Sequence, residues 1–433
     1  MHPLLRHTIF SASAAIALFS TASQAQQYNG VGLKVLGTRP PDTPPIAGQP
    51  LETRPPQGIG QQPAFPGQTR AVAVISKTLW QAQIVAHGLN QPWSFAFLPD
   101  GKILVLEKVG AMRLVDSATG KIEGNVGGVP QVRYGGDAGL LDVVLDPAFA
   151  QNRMLYFTYV EPRGEESGIV VAKAKLAPDD SHLIDVTSIL HVEPSVRPLA
   201  HYGSRLLFDK NGYLFVTLGE RFFSPMRDEA QSLYSYLGKI LRITTDGQPA
   251  PGNPFERPAN SPPEENGYLP ETWTYGMRNP QGIAMNPETG EIFESEHGPQ
   301  GGDEINFIQP GKNYGWPVIA YGVNYDGSKV DNGLTQKTGM EQPIYYWDPV
   351  IAPSGITFYD GKLIPEWKGN LFVAGLAGQH VARLVFDGHK VVAEERLLLD
   401  QHQRMRCIHE GPDGALWVVT DNPDGRLIRI APR

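Results

Sequence analysis

The sequence predicts an all-β fold, a six-bladed β-propeller of four-stranded antiparallel sheets, on three observations. One β-hairpin pattern recurs six times along the chain. Its copies start roughly 45 to 80 residues apart, which leaves each one room for two further strands. Composition agrees: of 433 residues 47 are Gly and 38 are Pro, the residues that tight turns use most.

The elements follow in order. Residues 1–25 read as a secretory signal: His2, Arg6 and His7 precede an apolar stretch from Ile9 to Ser20, and Ser23-Gln24-Ala25 supplies small residues for cleavage after Ala25. Residues 26–70 are rich in Pro, Gly and Gln, with Pro-Pro pairs at 40–41, 44–45 and 55–56, and predict an extended, poorly ordered linker. The propeller domain is expected over 71–433. Its first hairpin joins Trp93–Phe97 to Ile103–Leu106 through Pro99-Asp100-Gly101. The second joins Leu141–Leu145 to Met154–Phe157, and the third joins Arg205–Phe208 to Leu214–Val216. Gly282–Met285 with Ile292-Phe293 makes the fourth, and Gly355–Phe358 with Gly369–Val373, after an insertion, the fifth. Cys407–His409 and Leu416–Val419, around Pro412-Asp413-Gly414, close the series. A β-sandwich does not normally repeat one hairpin six times, whereas propeller blades do.

Charge and cysteine content narrow the function. The formal charge is −8, and no basic run interleaves with aromatics, so nucleic acid is not an expected partner. After the signal no segment reaches about 18 consecutive apolar residues, so a membrane span is not expected. A periplasmic or secreted, soluble protein is the expectation, as monomer or homodimer. With Cys407 as the single cysteine, no internal disulfide can form. No Gly-x-Gly-x-x-Gly follows a strand and no Cys-x-x-Cys-His occurs, which excludes a nicotinamide-type fold and a bound c-type haem.

In propellers, loops at one end of the central channel collect functional residues from several blades. The richest strings are Tyr275-Gly276-Met277-Arg278-Asn279-Pro280-Gln281-Gly282, then Ser295-Glu296-His297-Gly298-Pro299-Gln300-Gly301-Gly302-Asp303-Glu304-Ile305-Asn306, and Asn313-Tyr314-Gly315-Trp316-Pro317. Beside them stand His201-Tyr202-Gly203-Ser204-Arg205, Gly219-Glu220 and Arg404-Met405-Arg406. From about residue 80 to the C-terminus the chain resembles the glucose/sorbosone dehydrogenase family, the soluble quinoprotein aldose dehydrogenases that use pyrroloquinoline quinone (PQQ) and calcium.

The resemblance implies roles. His201 takes the place of the family's general base, and imidazole, with an ordinary pKa of about 6.5, suits removal of a sugar hydroxyl proton as hydride leaves carbon. Glu220 matches the carboxylate that orients it. Arg278 and Asn279 match the pair facing the quinone oxygens, where a guanidinium stabilises developing negative charge. Arg404 and Arg406, two apart on a strand, project to one face and can bind carboxylates bidentately. Gly298 and Pro299 match the carbonyls that hold the cofactor's calcium; Glu304 and the backbone of Tyr314 match a second, structural calcium site. His297 and Tyr325 are further candidates for the cofactor side, while Trp316 and Tyr321 serve equally well as core aromatics.

Two positions depart from the family. Asp137 stands where relatives carry Gln before Gly-Leu-Leu, so a carboxylate faces an anionic cofactor. Ala377 stands where the family has a quinone-facing Lys. The implied activity is oxidation of the anomeric carbon of aldoses to lactones, with a separate electron acceptor, a quinone or cytochrome. The alternatives are a calcium-dependent propeller lactonase, which leaves Arg404 and Arg406 idle, and a non-catalytic sugar- or protein-binding propeller, which Asp137 and Ala377 favour. Cys407, early in a strand, reads as a buried apolar residue.

Overall fold

In the computed structural model, described for residues 39, 40, 43–255 and 268–433, two strands precede blade 1 in the chain: β1 (Val72–Ala73) and β2 (Trp80–Leu89). Blade 1 holds β3 (Pro92–Phe97), β4 (Lys102–Glu107), β5 (Ala111–Asp116) and β6 (Ile122–Val126). Blade 2 holds β7 (Leu140–Leu145), β8 (Met154–Arg163), β9 (Glu166–Leu176) and β10 (Leu183–His191). Blade 3 holds β11 (Gly203–Phe208), β12 (Leu214–Leu218), β13 (Lys239–Ile243) and β14 (Thr272–Tyr275). Blade 4 holds β15 (Pro280–Met285), β16 (Ile292–Glu296), β17 (Asp303–Ile308) and β18 (Tyr345–Trp347). Blade 5 holds β19 (Pro353–Phe358), β20 (Leu371–Gly375), β21 (His380–Asp387) and β22 (Lys390–Leu397). Blade 6 has β23 (Met405–Glu410), β24 (Leu416–Thr420) and β25 (Gly425–Pro432), and β2 completes it by pairing antiparallel with β25. Each hairpin read from the sequence is the innermost pair of one blade.

Packing follows from this order. The innermost strands β3, β7, β11, β15, β19 and β23 neighbour one another around the channel. Between every two adjacent blades lies an apolar cluster, such as Leu104, Leu106, Leu140 and Phe157 between blades 1 and 2, or Phe372, Val381, Ile408 and Val418 between blades 5 and 6. Each fully buried Leu, Val or Phe stabilises by about 1.5–3 kcal/mol, and six such seams hold the ring without a disulfide.

The Arg205 side chain crosses the channel. Arg205 of β11, 3% exposed, reaches every other blade. Its guanidinium lies 3.8 Å over Trp93 of blade 1 and pairs with Asp142 of blade 2 at 3.2 Å. It donates to Gln281 O of blade 4, Ser354 Oγ of blade 5, and both Arg406 O and Cys407 Sγ of blade 6. Cys407 is buried, but polar contacts surround it: His409 Nε2 lies 3.3 Å from its sulfur. Burial would raise that thiol's pKa, and Arg205 and His409 bring it instead to about 7.

The signal-peptide reading and residues 26–38 lie outside the described residues. From residue 43 the Pro-rich segment has little regular structure, as its composition implies, but it is anchored to blades 4 and 5. Gln57 and Gly58 donate their N–H groups to the Asp348 carboxylate, and Gln61 donates to Gly322 O. Glu52 pairs with Arg396 at 2.8 Å. β1 then adds a parallel fifth strand to blade 5. Among the described residues no helix is long and apolar enough to cross a membrane.

Candidate active site at the channel mouth

Every innermost strand slips register near its first residues, for instance between Gly203 and Leu206, between Pro280 and Gly282, and between Met405 and Cys407. Bulges of this kind re-aim side chains, and here they mark the end of the channel where the predicted residues gather.

His201 sits just before β11 in the left-handed region, with φ +51°. A non-glycine residue there is held by its surroundings. Asp137 Oδ2 accepts the His201 N–H at 3.0 Å, and Asn279 Oδ1 accepts the Gly203 N–H at 3.1 Å. Asp137, which the sequence suggested as a repulsive neighbour of the cofactor, is therefore engaged in holding the backbone of His201. The imidazole Nδ1 lies 3.1 Å from Glu220 Oε1. Burial lowers the pKa of His201, partly countered by Glu220. Glu220 is fully buried; burial alone would raise its pKa, but His201 and Arg278 hold it below the ordinary carboxylate value.

Arg278 and Asn279 immediately precede β15. Both backbone N–H groups point at Glu296 Oε2, which fixes the turn. The Arg278 guanidinium donates to His297 O at 2.9 Å and Gly298 O at 2.7 Å, and lies 5.0 Å over Trp316. His297 follows β16; its Nδ1 is 3.4 Å from Asn279 Nδ2, while its Nε2 is buried without a partner. Burial, together with His201, Arg406, Arg278 and Arg404, pushes the His297 pKa well down, so it is neutral.

Arg404 and Arg406 share Asp421 Oδ2, at 3.6 and 2.5 Å. Arg406 also donates to Gln281 Oε1, and its Nε is unpartnered. Burial would raise Asp421, but Arg406, Lys108 and Arg404 hold it ionised. Lys108, 7% exposed, donates to Gly136 O at 3.0 Å.

The sequence did not single out Lys108, Asp421 or Glu296. A signal existed: Lys108, His297 and Asp421 each directly follow the second strand of a blade, so aligning the six hairpins places them at one level. Ala377, at the corresponding end of blade 5, is buried with Ala352 and Leu376 and puts no charge in the mouth. Tyr325 joins the site through Phe222, whose ring lies 6.0 Å away and nearly parallel. Tyr321 is instead a core residue, stacked on Tyr346.

The residues expected to bind metal lie in and beside blade 4. Gly298 lies beside the mouth, its carbonyl engaged by Arg278 and its N–H by Asp303 Oδ1. Glu304 lies across from Glu296 in blade 4 and accepts from Asn306. Tyr314 uses its N–H on Tyr275 O and its hydroxyl on Phe307 O. Among the described residues no three or more His, Cys, Asp or Glu side chains are grouped as a metal site.

The sequence model of the family described as Glucose / Sorbosone dehydrogenase matches residues 89–429. Aldose sugar dehydrogenase YliI of Escherichia coli (strain K12) is 39% identical over 368 residues, covering 83% of this chain and 96% of that protein. The structure of the soluble aldose sugar dehydrogenase from Escherichia coli, in its apo-form, superposes with a TM-score of 0.76 over 82% of this chain and 100% of that one. The PQQ-bound form of aldose sugar dehydrogenase from Streptomyces coelicolor, 28% identical, gives 0.67 over 83% and 100%.

Proposed function

This chain belongs to the glucose/sorbosone dehydrogenase family, and on that premise we propose that it oxidises the anomeric carbon of aldoses to lactones with PQQ and calcium, in an exported location. The observation that carries the reading is the buried His201–Glu220 pair, beside Arg278, in a channel mouth where His297 lies among His201, Arg278, Arg404 and Arg406.

The residues suit an anionic quinone. Lys108, Arg404 and Arg406 surround a single carboxylate, Asp421, and Arg278 and Arg406 each keep a buried Nε without a partner. A polycarboxylate would supply acceptors to such donors. For calcium, the Gly298–Pro299 turn offers backbone oxygens, the donor type this hard cation takes, and no carboxylate of its own. Those residues would hold the ion, whose charge would polarise the quinone.

When bound, the quinone supplies the two-electron acceptor. The chain's own residues would do the rest. Glu220 holds Nδ1 of His201, so Nε2 is the nitrogen available to take the proton of the anomeric hydroxyl. Hydride leaves the same carbon with its electron pair, and a C=O bond forms, giving the lactone. Glu220 stabilises the imidazolium this creates, and the Arg278 guanidinium faces the charge arriving at the acceptor. Burial keeps His201 neutral, hence competent as a base, below the ordinary imidazole pKa.

The test is reconstitution of metal-stripped protein with calcium and PQQ, followed by dye reduction on adding aldoses. Activity requiring both additions, and falling by about 10²–10⁴-fold in His201→Ala, is expected. Failure of the wild-type protein to bind PQQ in the presence of calcium would overturn the reading.

A further inference from the structure

Glu220 has a second contact that base catalysis does not require. While Oε1 meets His201, Oε2 accepts the backbone N–H of Phe222. The turn this bond closes is unusual. Arg221 and Phe222 are consecutive non-glycine residues at φ +69° and +81°, a conformation that persists only where the surroundings dictate it. Arg221 provides the constraint: its guanidinium lies 3.9 Å over Tyr202 and donates to the carbonyls of Ser167, Pro198 and Ala200. The turn after β12 is thereby tied to the segment that carries His201.

The result of this construction is the position of one ring. Phe222 meets the His201 imidazole edge to face, with centroids 4.7 Å apart. It lies nearly parallel to Tyr325, with 21° between planes, and the Arg278 guanidinium is 6.0 Å from its centre. One half-buried apolar ring thus adjoins the base, the guanidinium and a second aromatic of the mouth. Next to an imidazole that must receive a hydroxyl proton, a flat apolar face excludes water and offers a surface to the C–H groups of a pyranose.

We propose that Phe222 is the specificity-determining residue of the sugar subsite: its ring packs against the C–H face of the aldose and sets the anomeric hydroxyl over His201. This rests on the aldose dehydrogenase reading. Glu220 then couples two tasks, since one carboxylate holds both the base and the ring that positions the substrate.

The experiment uses full-length holoenzyme and three variants, Phe222→Ala, Phe222→Leu and Phe222→Tyr, with PQQ affinity measured separately by titration. Phe222→Ala should raise KM for aldopyranoses by about tenfold or more, as loss of an apolar contact does, with kcat less affected and PQQ affinity unchanged. Phe222→Tyr should restore KM. Phe222→Leu, which keeps apolar bulk without the flat face, should not, and serves should the Ala variant fail to fold. The acid limb of the kcat/KM profile should move to higher pH in Phe222→Ala as water reaches His201. Unchanged KM in both Ala and Leu variants overturns the proposal, and so does a loss of PQQ affinity matching the rise in KM. Wild-type holoenzyme that binds PQQ but oxidises no aldose overturns the underlying reading and this one together.

Discussion

Two sets of buried carboxylates, one at the channel and one inside blade 4, respond to burial with opposite outcomes. At the channel each has a cation: Glu220 has His201, Asp142 has Arg205, and Asp421 has Arg404, Arg406 and Lys108. Glu220 and Asp421 are accordingly held below ordinary carboxylate values. In blade 4, Glu294 and Glu296 point to the same side as Glu304, and all three share the Asn306 side-chain amide. Burial and mutual repulsion raise Glu294 and Glu304 well above the ordinary value, and burial carries Glu296 to about 7. A neutral amide solvates a carboxylate but does not neutralise it, so the blade 4 group holds protons where the channel group holds charge.

Arg205→Met would break the contrast most strongly, because Asp142 would be left buried and unpaired. Chemical denaturation should show a loss of about 3–5 kcal/mol. Glu220→Gln removes charge but little volume. Its kcat/KM should fall by about 10²-fold, and the acid limb should move to lower pH, since Glu220 is what raises the His201 pKa. An acid limb that stays in place would show that the carboxylate does not act on the imidazole. The smallest effect is expected in blade 4. Burial raises the Glu294 carboxyl well above its ordinary value; such a group costs nothing while both states are protonated, so the penalty grows as pH climbs above the ordinary carboxylate value of about 4.3. Metal-free Glu294→Gln should match the wild type near the lower pH and exceed it by about 1 kcal/mol near neutrality.

The same contrast marks how far the sequence could be read. The six inner hairpins were legible because an apolar run, an Asp- or Gly-containing turn and a second apolar run are local signals. The site residues were legible where long motifs carry them, as with Arg278-Asn279 and His297-Gly298. Closure by β2 was not, because it pairs Trp80 with Pro432, a contact no local pattern encodes. Arg205 read as one strand residue among others; its reach to all six blades exists only once the ring has closed. The resemblance marks Glu304, while its meeting with Glu294 and Glu296 depends on strand register. Residues 43–70 looked like a free linker because they lack apolar periodicity, and their anchoring rests on Gln and Arg side chains that meet backbone carbonyls and on N–H groups that meet Asp348.

The antiparallel ladder between β2 and β25 also sets how the molecule bears load. Because Trp80 faces Pro432 and Leu89 faces Gly425, traction applied at residues 80 and 432 acts at the same extremity of that ladder. The bonds then open singly, like a zipper, instead of sharing the force, so the seam between first and last strand is where the ring yields.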